Sequence, residues 1–197
     1  LKRCKNNSFS EKKKYFCKNS EDIQIMQKQK KLPAILGIGN ALVDVILTLE
    51  SDDVLHELEL QRGSMTLVDA GLSNTIYDTV PFQQREITTG GSAANTVHTL
   101  ASLGSRCGYL GKIGKDKLGT IFKKEFERKA IQTHLFFSEK DTGRVVSMVS
   151  PDSERTMATC LGAAADLQPA DLQRDIFRQY SFLYIEGYLV QDHHLIE

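Results

Sequence analysis

Several residues along the chain have types and spacing suited to holding a small polyhydroxylated molecule. Asp44 closes the segment GIGNALVD, residues 37–44, at the head of an apolar run. A carboxylate beside a glycine-permitted turn can accept hydrogen bonds from two neighbouring hydroxyls, but the local sequence favours an Asx-type turn residue. The GxG of this segment predicts no dinucleotide site, because Leu42 occupies the third glycine position and a strand follows instead of a helix.

A second candidate is the segment TTGGSAANT, residues 88–96. Gly90 and Gly91 lack Cβ atoms, so a ligand can reach their N–H groups, and a helix starting near Ser92 points its positive end at the same place. Asn95, in the first turn, offers one acceptor and two donors, which suits sugar hydroxyls rather than acid–base catalysis. Local sequence leaves a hinge with a helix cap as an equal alternative.

A third glycine cluster, GYLGKIGKDKLG, covers residues 108–119. It is not a P-loop, because GxxxxGK[ST] is absent and no Lys-Ser or Lys-Thr pair follows a glycine.

These residues require strands and helices in alternation to position them. Apolar runs at 34–39, 44–49 and 182–189 predict buried strands, and further strands are expected at 106–114, 134–137, 144–150 and 155–161. Helices are predicted at 71–80, from Ser92 as N-cap to Gly104, at 118–129, and across 166–180. The pattern predicts an α/β fold with a mainly parallel sheet flanked by helices. Extended segments within about residues 50–90 predict a smaller appended sheet.

Composition and charge exclude several classes of function. The chain has 197 residues, 41% of them hydrophobic, and a formal net charge of zero. Residues 1–32 carry a net charge of +7 and the remainder −7, which disfavours nucleic-acid binding, and no apolar run reaches the length of a membrane span. The four cysteines lie far apart, as expected in a reducing, cytoplasmic compartment.

The first 32 residues are rich in Lys, Asn, Ser and Gln and predict a disordered basic tail. Because the first methionine is Met26, residues 1–25 are interpreted as upstream sequence or a non-native extension. Residues 33–197 form the folded part.

From residue 34 onward the chain resembles the N-terminal half of the ribokinase or PfkB family of carbohydrate and nucleoside kinases. The family's glycine-pair signature has its counterpart in Gly90, Gly91, Asn95, Gly104 and Gly114. Val97 departs from that signature, where a small residue is usual. The strings GNALVDV, RGSMTLVD, ERTMATCLGAAADL and YIEGYLVQD are similar to the adenosine-kinase-like bacterial branch.

The resemblance implies a ribokinase-like fold with a small β-sheet lid from residues 50–90. It also implies an enzyme that uses ATP and Mg²⁺ to phosphorylate a hydroxyl group of a sugar or nucleoside. It assigns binding of the phosphoryl acceptor, the sugar or nucleoside, to Asp44, Gly90, Gly91 and Asn95. It gives Glu186 as another acidic residue of the same pocket. Arg155 could meet an anionic group or form a structural ion pair. No metal ligand is assigned.

In this family the catalytic base is the Asp of a C-terminal GAGD motif, and no GAGD occurs in the sequence. The chain is therefore interpreted as a C-terminally truncated fragment that keeps acceptor-binding residues, lacks the catalytic base and most of the ATP site, and is inactive alone. The alternative hypothesis is a non-catalytic binding module of the same fold, which forms a homodimer through the lid sheet.

Overall fold

A computed structural model describes residues 34–79, 85–191 and 193–196, which form two β-sheets flanked by helices. The basic tail predicted for residues 1–32 lies outside the described residues.

The central sheet is parallel throughout, with strand order β6-β5-β1-β9. Leu36, Ile38, Tyr109 and Leu110 are buried in its two middle strands, as expected for strands covered on both faces. Its strands are β1 (Ala34–Ile38), β5 (Arg106–Gly114), β6 (Gln132–Ser138) and β9 (Phe182–Ile185).

The second sheet is mixed, with strand order β3-β8-β7-β2-β4. The pairs β2–β4 and β7–β8 are antiparallel, whereas β2–β7 and β3–β8 are parallel. Its strands are β2 (Leu42–Thr48), β3 (Met65–Leu67), β4 (Glu86–Gly90), β7 (Gly143–Val149) and β8 (Arg155–Cys160). The segment predicted to supply the small sheet, residues 50–90, therefore contributes β3 and β4, and three strands come from outside it.

Helices cover the sheets with their apolar faces. In α4, Phe122 and Phe126 lie one turn apart and are fully buried against Tyr109 of β5. The described helices are α1 (Asp53–Glu57), α2 (Ala70–Thr79), α3 (Ser92–Ser102), α4 (Lys117–Arg128), α5 (Arg174–Phe177) and α6 (His193–Ile196). None of them has both the length and the apolarity needed to cross a membrane.

Two sequence expectations are wrong in this part of the chain. Residues 166–180 do not form one helix: two short 3₁₀ helices, Gly162–Asp166 and Pro169–Asp171, are followed by α5. Proline at the start of the second turn and the Asp171 side chain, which accepts from the Gln168 N–H, favour a local turn over a continuous helix. The strand expected at 182–189 ends at Ile185, its side chains are exposed, and a 3₁₀ helix follows at Gly187–Gln191.

Candidate functional site

A cavity of about 730 Å³ lies where the carboxyl ends of central strands meet the inner face of the second sheet. We call it the main cavity. Alternate residues of β2, β7 and β8 form its sheet wall, as the two-residue period of a strand dictates. This wall includes Leu42, Asp44, Val145, Ser147, Met157 and Thr159. The lining also includes Asn40, Gly91, Ser92 and Glu186.

Glu186, directly after β9, is a buried carboxylate that joins three separate parts of the chain. The residue is 2% exposed. Oε1 accepts from Nδ2 of Asn40 at 2.6 Å and from the Asn40 N–H at 3.3 Å. Oε2 accepts from Oγ of Ser92 at 2.8 Å and from the N–H of Ala93 at 3.2 Å. The predicted pocket acid thus lies at the cavity, and both of its oxygens are engaged by protein donors.

The start of α3 differs from the sequence expectation in its cap. Gly91 is the N-cap residue, and Ser92, predicted to cap the helix, lies in its first turn. The Ala93 amide, in the same turn, donates instead to Glu186, whose negative charge at a helix N-terminus is stabilising. Sequence reasoning missed this cap because its donor and acceptor lie 93 residues apart.

The two glycines of TTGGSAANT allow close approach by the protein's own groups. A Cβ on Gly90 would lie 2.2 Å from Oδ1 of Asp44, and one on Gly91 would lie 2.4 Å from the carbonyl oxygen of Asn40. Gly91 also has φ of 95°, a conformation that favours glycine. This turn therefore lets Asp44 and Asn40 sit against the start of α3, which the sequence did not indicate.

Asp44 faces the main cavity from the middle of the second sheet, beside Thr88 of β4 and Val145 of β7. Burial raises the pKa of its carboxyl group, and the positive charge of Arg155 partly opposes that rise. Among the described residues, no hydrogen bond from a protein donor to this carboxylate is found within the main cavity. An ionised Asp44 can therefore accept hydrogen bonds from a ligand's hydroxyl groups.

The predicted site residues are not all brought together. Asp44, Gly91 and Glu186 line the main cavity, as does Arg155, and Gly90 lies against the Asp44 carboxylate without lining the cavity. Asn95 lies one turn into α3, where its side chain is exposed and is not part of the cavity lining.

Sequence reasoning missed Asn40, Ser147 and Thr159 as lining residues. Asn40 could have been found, since it lies within the segment that ends at Asp44. Ser147 and Thr159 lie in segments whose local sequence does not indicate a ligand site. Within the ranges that the structure describes, no group of three or more His, Cys, Asp or Glu side chains is placed to hold a metal ion.

Comparison with known proteins supports a relationship that runs through most of the described chain. The family profile of the pfkB family carbohydrate kinases matches residues 66–195. Adenosine kinase from Dictyostelium discoideum is 29% identical over 165 residues, which cover 79% of this chain and 47% of that protein. The chain thus spans about half the length of the curated relatives it matches.

Solved structures agree with this relationship. Adenosine kinase from Sinorhizobium meliloti superposes with a TM-score of 0.72 and 34% identity, covering 83% of this chain and 50% of that one. Adenosine kinase from Schistosoma mansoni in complex with adenosine gives a TM-score of 0.70 and 28% identity, covering 79% and 47%. The predicted ribokinase-like α/β fold is confirmed. The chain belongs to the pfkB family of carbohydrate kinases.

Proposed function

We propose that this chain is the acceptor-binding part of an ATP-dependent kinase that phosphorylates a primary hydroxyl of a nucleoside or sugar. The observation that carries the proposal is the Asp44 carboxylate, which faces the main cavity and is free to accept hydrogen bonds there. The two carboxylate oxygens of Asp44 can accept hydrogen bonds from two neighbouring hydroxyls of a sugar ring.

The remaining lining of the main cavity favours a nucleoside. Met157, Val145 and Leu42 offer apolar surface on the same wall as Asp44, and Met65 and Leu67 extend it along β3. Methionine adapts well to flat aromatic rings. One polar end and one apolar end match a ribose joined to a base, and the Schistosoma mansoni relative was solved with adenosine.

The described residues are assigned to acceptor binding alone. Phosphoryl transfer also needs a base for the attacking hydroxyl, groups that stabilise the transferred phosphoryl group, and Mg²⁺. ATP and Mg²⁺ are the expected cofactors, but the described side chains offer no cluster that fits the metal, so the transfer step is not assigned to them. We place this activity in the cytoplasm, in keeping with the free thiols of Cys107 and Cys160.

The test is binding of adenosine and of ribose to the full chain, measured by isothermal titration calorimetry. Asp44→Ala should weaken binding by about 1–3 kcal/mol, the size of hydrogen bonds to ligand hydroxyls. Asn95→Ala, at an exposed residue outside the cavity lining, tests the binding role that the family resemblance assigns to Asn95. Asp175→Ala, which removes an exposed carboxylate paired with Arg178, is the matched control and should bind like wild type.

Wild-type affinity in Asp44→Ala would contradict the acceptor assignment. Weaker binding in Asp44→Ala alone would limit the site to the main cavity and exclude Asn95. A preference for adenosine over ribose would support a nucleoside base against the apolar wall.

A second candidate is a non-catalytic module that dimerises through the second sheet. The observation in its favour is that Met65 and Leu67, on the edge strand β3, are 43% and 61% exposed. This candidate predicts a stable dimer in sedimentation equilibrium that is indifferent to adenosine and ribose, and that Leu67→Lys disrupts. A monomer that binds adenosine excludes it.

A further inference from the structure

A second cavity, of about 580 Å³, lies on the opposite face of the same sheet. We call it the rear cavity. Along β7, Val145 faces the main cavity and Arg144 faces the rear cavity. Along β8, Thr159 faces the main cavity and Cys160 faces the rear cavity. Helix α2, the start of α4 and the loop at residues 139–142 complete the rear cavity. Its volume is within the range of small-molecule sites.

The guanidinium of Arg144 is held in a fixed position at this cavity. Nε and Nη2 donate to Oγ of Ser73 at 3.1 and 2.9 Å, and Nη2 also donates to Oδ1 of Asn74 at 2.6 Å. Its face lies over the ring of Tyr77, with Cζ 4.4 Å from the ring centroid. Because these contacts fix the orientation in advance, binding a ligand would cost little side-chain entropy.

One edge of this guanidinium has no protein partner within the described part of the chain. Nη1 makes no hydrogen bond there, and Arg144 forms no salt bridge. A half-buried guanidinium is normally paired with a carboxylate, since burying a charge without a partner is costly. The two N–H groups of Nη1 are therefore donors available to a ligand in the cavity.

The acidic residues that line the rear cavity are mostly engaged elsewhere. Asp116 accepts from the N–H of Gly119 and from the N–H and Oγ1 of Thr142, each at 2.7 Å. Glu139 pairs with Lys115 at 2.6 Å. This leaves Asp141 as the lining acid whose charge acts on Arg144, without an ion pair between them.

We propose that the rear cavity is a second ligand site, which binds a small metabolite through a carboxylate or phosphate group held by the Nη1 edge of Arg144. Each N–H group of Nη1 can donate a charge-assisted hydrogen bond to an oxygen of either oxyanion. Asp141, which lines the same cavity, would accept from a hydroxyl or ammonium group of the same ligand. This site is independent of the acceptor site, although both share the wall formed by β7 and β8.

Cys160 provides a direct readout, because it is the cross-strand neighbour of Arg144 and lines the same cavity. In a Cys4→Ser/Cys17→Ser background, the remaining thiols are Cys160 and the buried Cys107. The rate of Cys160 alkylation by iodoacetamide is measured by peptide mass spectrometry against sodium sulfate, as a tetrahedral oxyanion, and against sodium citrate, as a carboxylate. Sodium chloride holds the ionic strength constant.

We expect saturable protection of Cys160 by sulfate or by citrate, reaching roughly tenfold at about ten times the dissociation constant. The more protective anion identifies the group that the site prefers. Arg144→Met should abolish protection, whereas Arg128→Met, which removes an exposed arginine of α4 outside the cavity, should keep it.

The proposal is overturned if neither anion protects Cys160 in the wild-type sequence beyond the chloride control. It is equally overturned if Arg144→Met, folded by circular dichroism, is protected as well as wild type. The wild-type measurement decides by itself if that variant does not fold.

Discussion

Asp44 is a carboxylate in surroundings that disfavour its charge. Burial raises its pKa, and the opposing effect of Arg155 comes from an exposed side chain. Because the folded protein holds this proton more tightly than the unfolded chain, stability falls as pH rises from the ordinary pKa of 3.8 through the folded pKa. Above that window the cost of the buried charge stays constant.

Asp44→Asn should therefore raise the free energy of unfolding at pH 7, and the gain should shrink as pH falls toward 3.8. Urea unfolding at a series of pH values measures it. Asp175→Asn, at an exposed position, is the control and should show no such gain. A variant that is less stable than wild type at pH 7 would show that the ionised carboxylate stabilises the fold.

Gly90 is required by the Asp44 side chain rather than by backbone conformation. Gly90→Ala should destabilise the protein by about 1–3 kcal/mol, because the new Cβ would lie 2.2 Å from Oδ1 of Asp44. Gly187→Ala, which meets no atom within 4 Å, should change stability by less than about 0.5 kcal/mol.

A double-mutant cycle with Asp44→Ala separates steric overlap from general disruption of the turn. Removal of the carboxylate should restore most of the stability lost in Gly90→Ala. Simple additivity of the two losses would contradict the steric explanation.

At the scale of elements, Glu186 fastens β9 and the turn after β1 to the start of α3. Asn40 and Ser92 reach it from segments 146 and 94 residues away. Glutamine at this position is of similar size but cannot accept all four of the hydrogen bonds that Glu186 accepts, since its NH₂ group is a donor.

Glu186→Gln should lower the free energy of unfolding by about 2–3 kcal/mol, the cost of losing charge-assisted bonds to buried donors. Hydrogen exchange should rise at the Ala93 amide, which loses its acceptor. The exposed Glu50→Gln is the control for removal of one negative charge. Unchanged exchange at Ala93 would refute the capping role.

Elements are predictable where local pattern determines them. The helix expected from Ser92 to Gly104 is present as Ser92–Ser102, and Gly104 has φ of 88°. The single helix predicted at 166–180 is wrong because its helical composition is overridden by Pro169 and by a backbone-to-side-chain bond to Asp171. The sequence pattern alone does not show whether the helical composition or the local turn at Pro169 and Asp171 determines the structure.

At the scale of the whole molecule, strand β9 presents an exposed apolar surface. Phe182, Leu183, Tyr184 and Ile185 are 39–59% exposed, and in the described sheet β9 pairs with β1 on one side only. An exposed apolar edge strand is a template for association with another chain.

Leu183→Lys should reduce dye binding to exposed apolar surface and slow self-association, with a stability change within about 0.5 kcal/mol. Light scattering and anilinonaphthalene sulfonate fluorescence measure these effects. Leu103→Lys is the matched control, because Leu103 is 77% exposed but belongs to the end of α3 and not to β9, and it should leave both signals unchanged. Equal effects of the two variants would show that β9 is not the associating surface.

The candidate site is predictable only in part. Asp44 and Gly91 come from segments whose residue types already indicate a ligand, and both lie at the main cavity. Ser147 and Thr159 reach it through strand pairing, and the role of Gly90 depends on which side chain faces it across β2 and β4. Such relations depend on register, which a single sequence does not specify.

The bonds of Glu186 also have a consequence for the order of folding. The turn at Asn40 and the first amides of α3 obtain their common acceptor only when a residue 146 positions further along the chain than Asn40 is in place. Contacts of such sequence separation carry a large loop-closure entropy and form late. During synthesis, β1 and α3 leave the ribosome long before Glu186 does, so the part of the main cavity that Asn40, Ser92 and Glu186 line is among the last parts of this chain to become rigid.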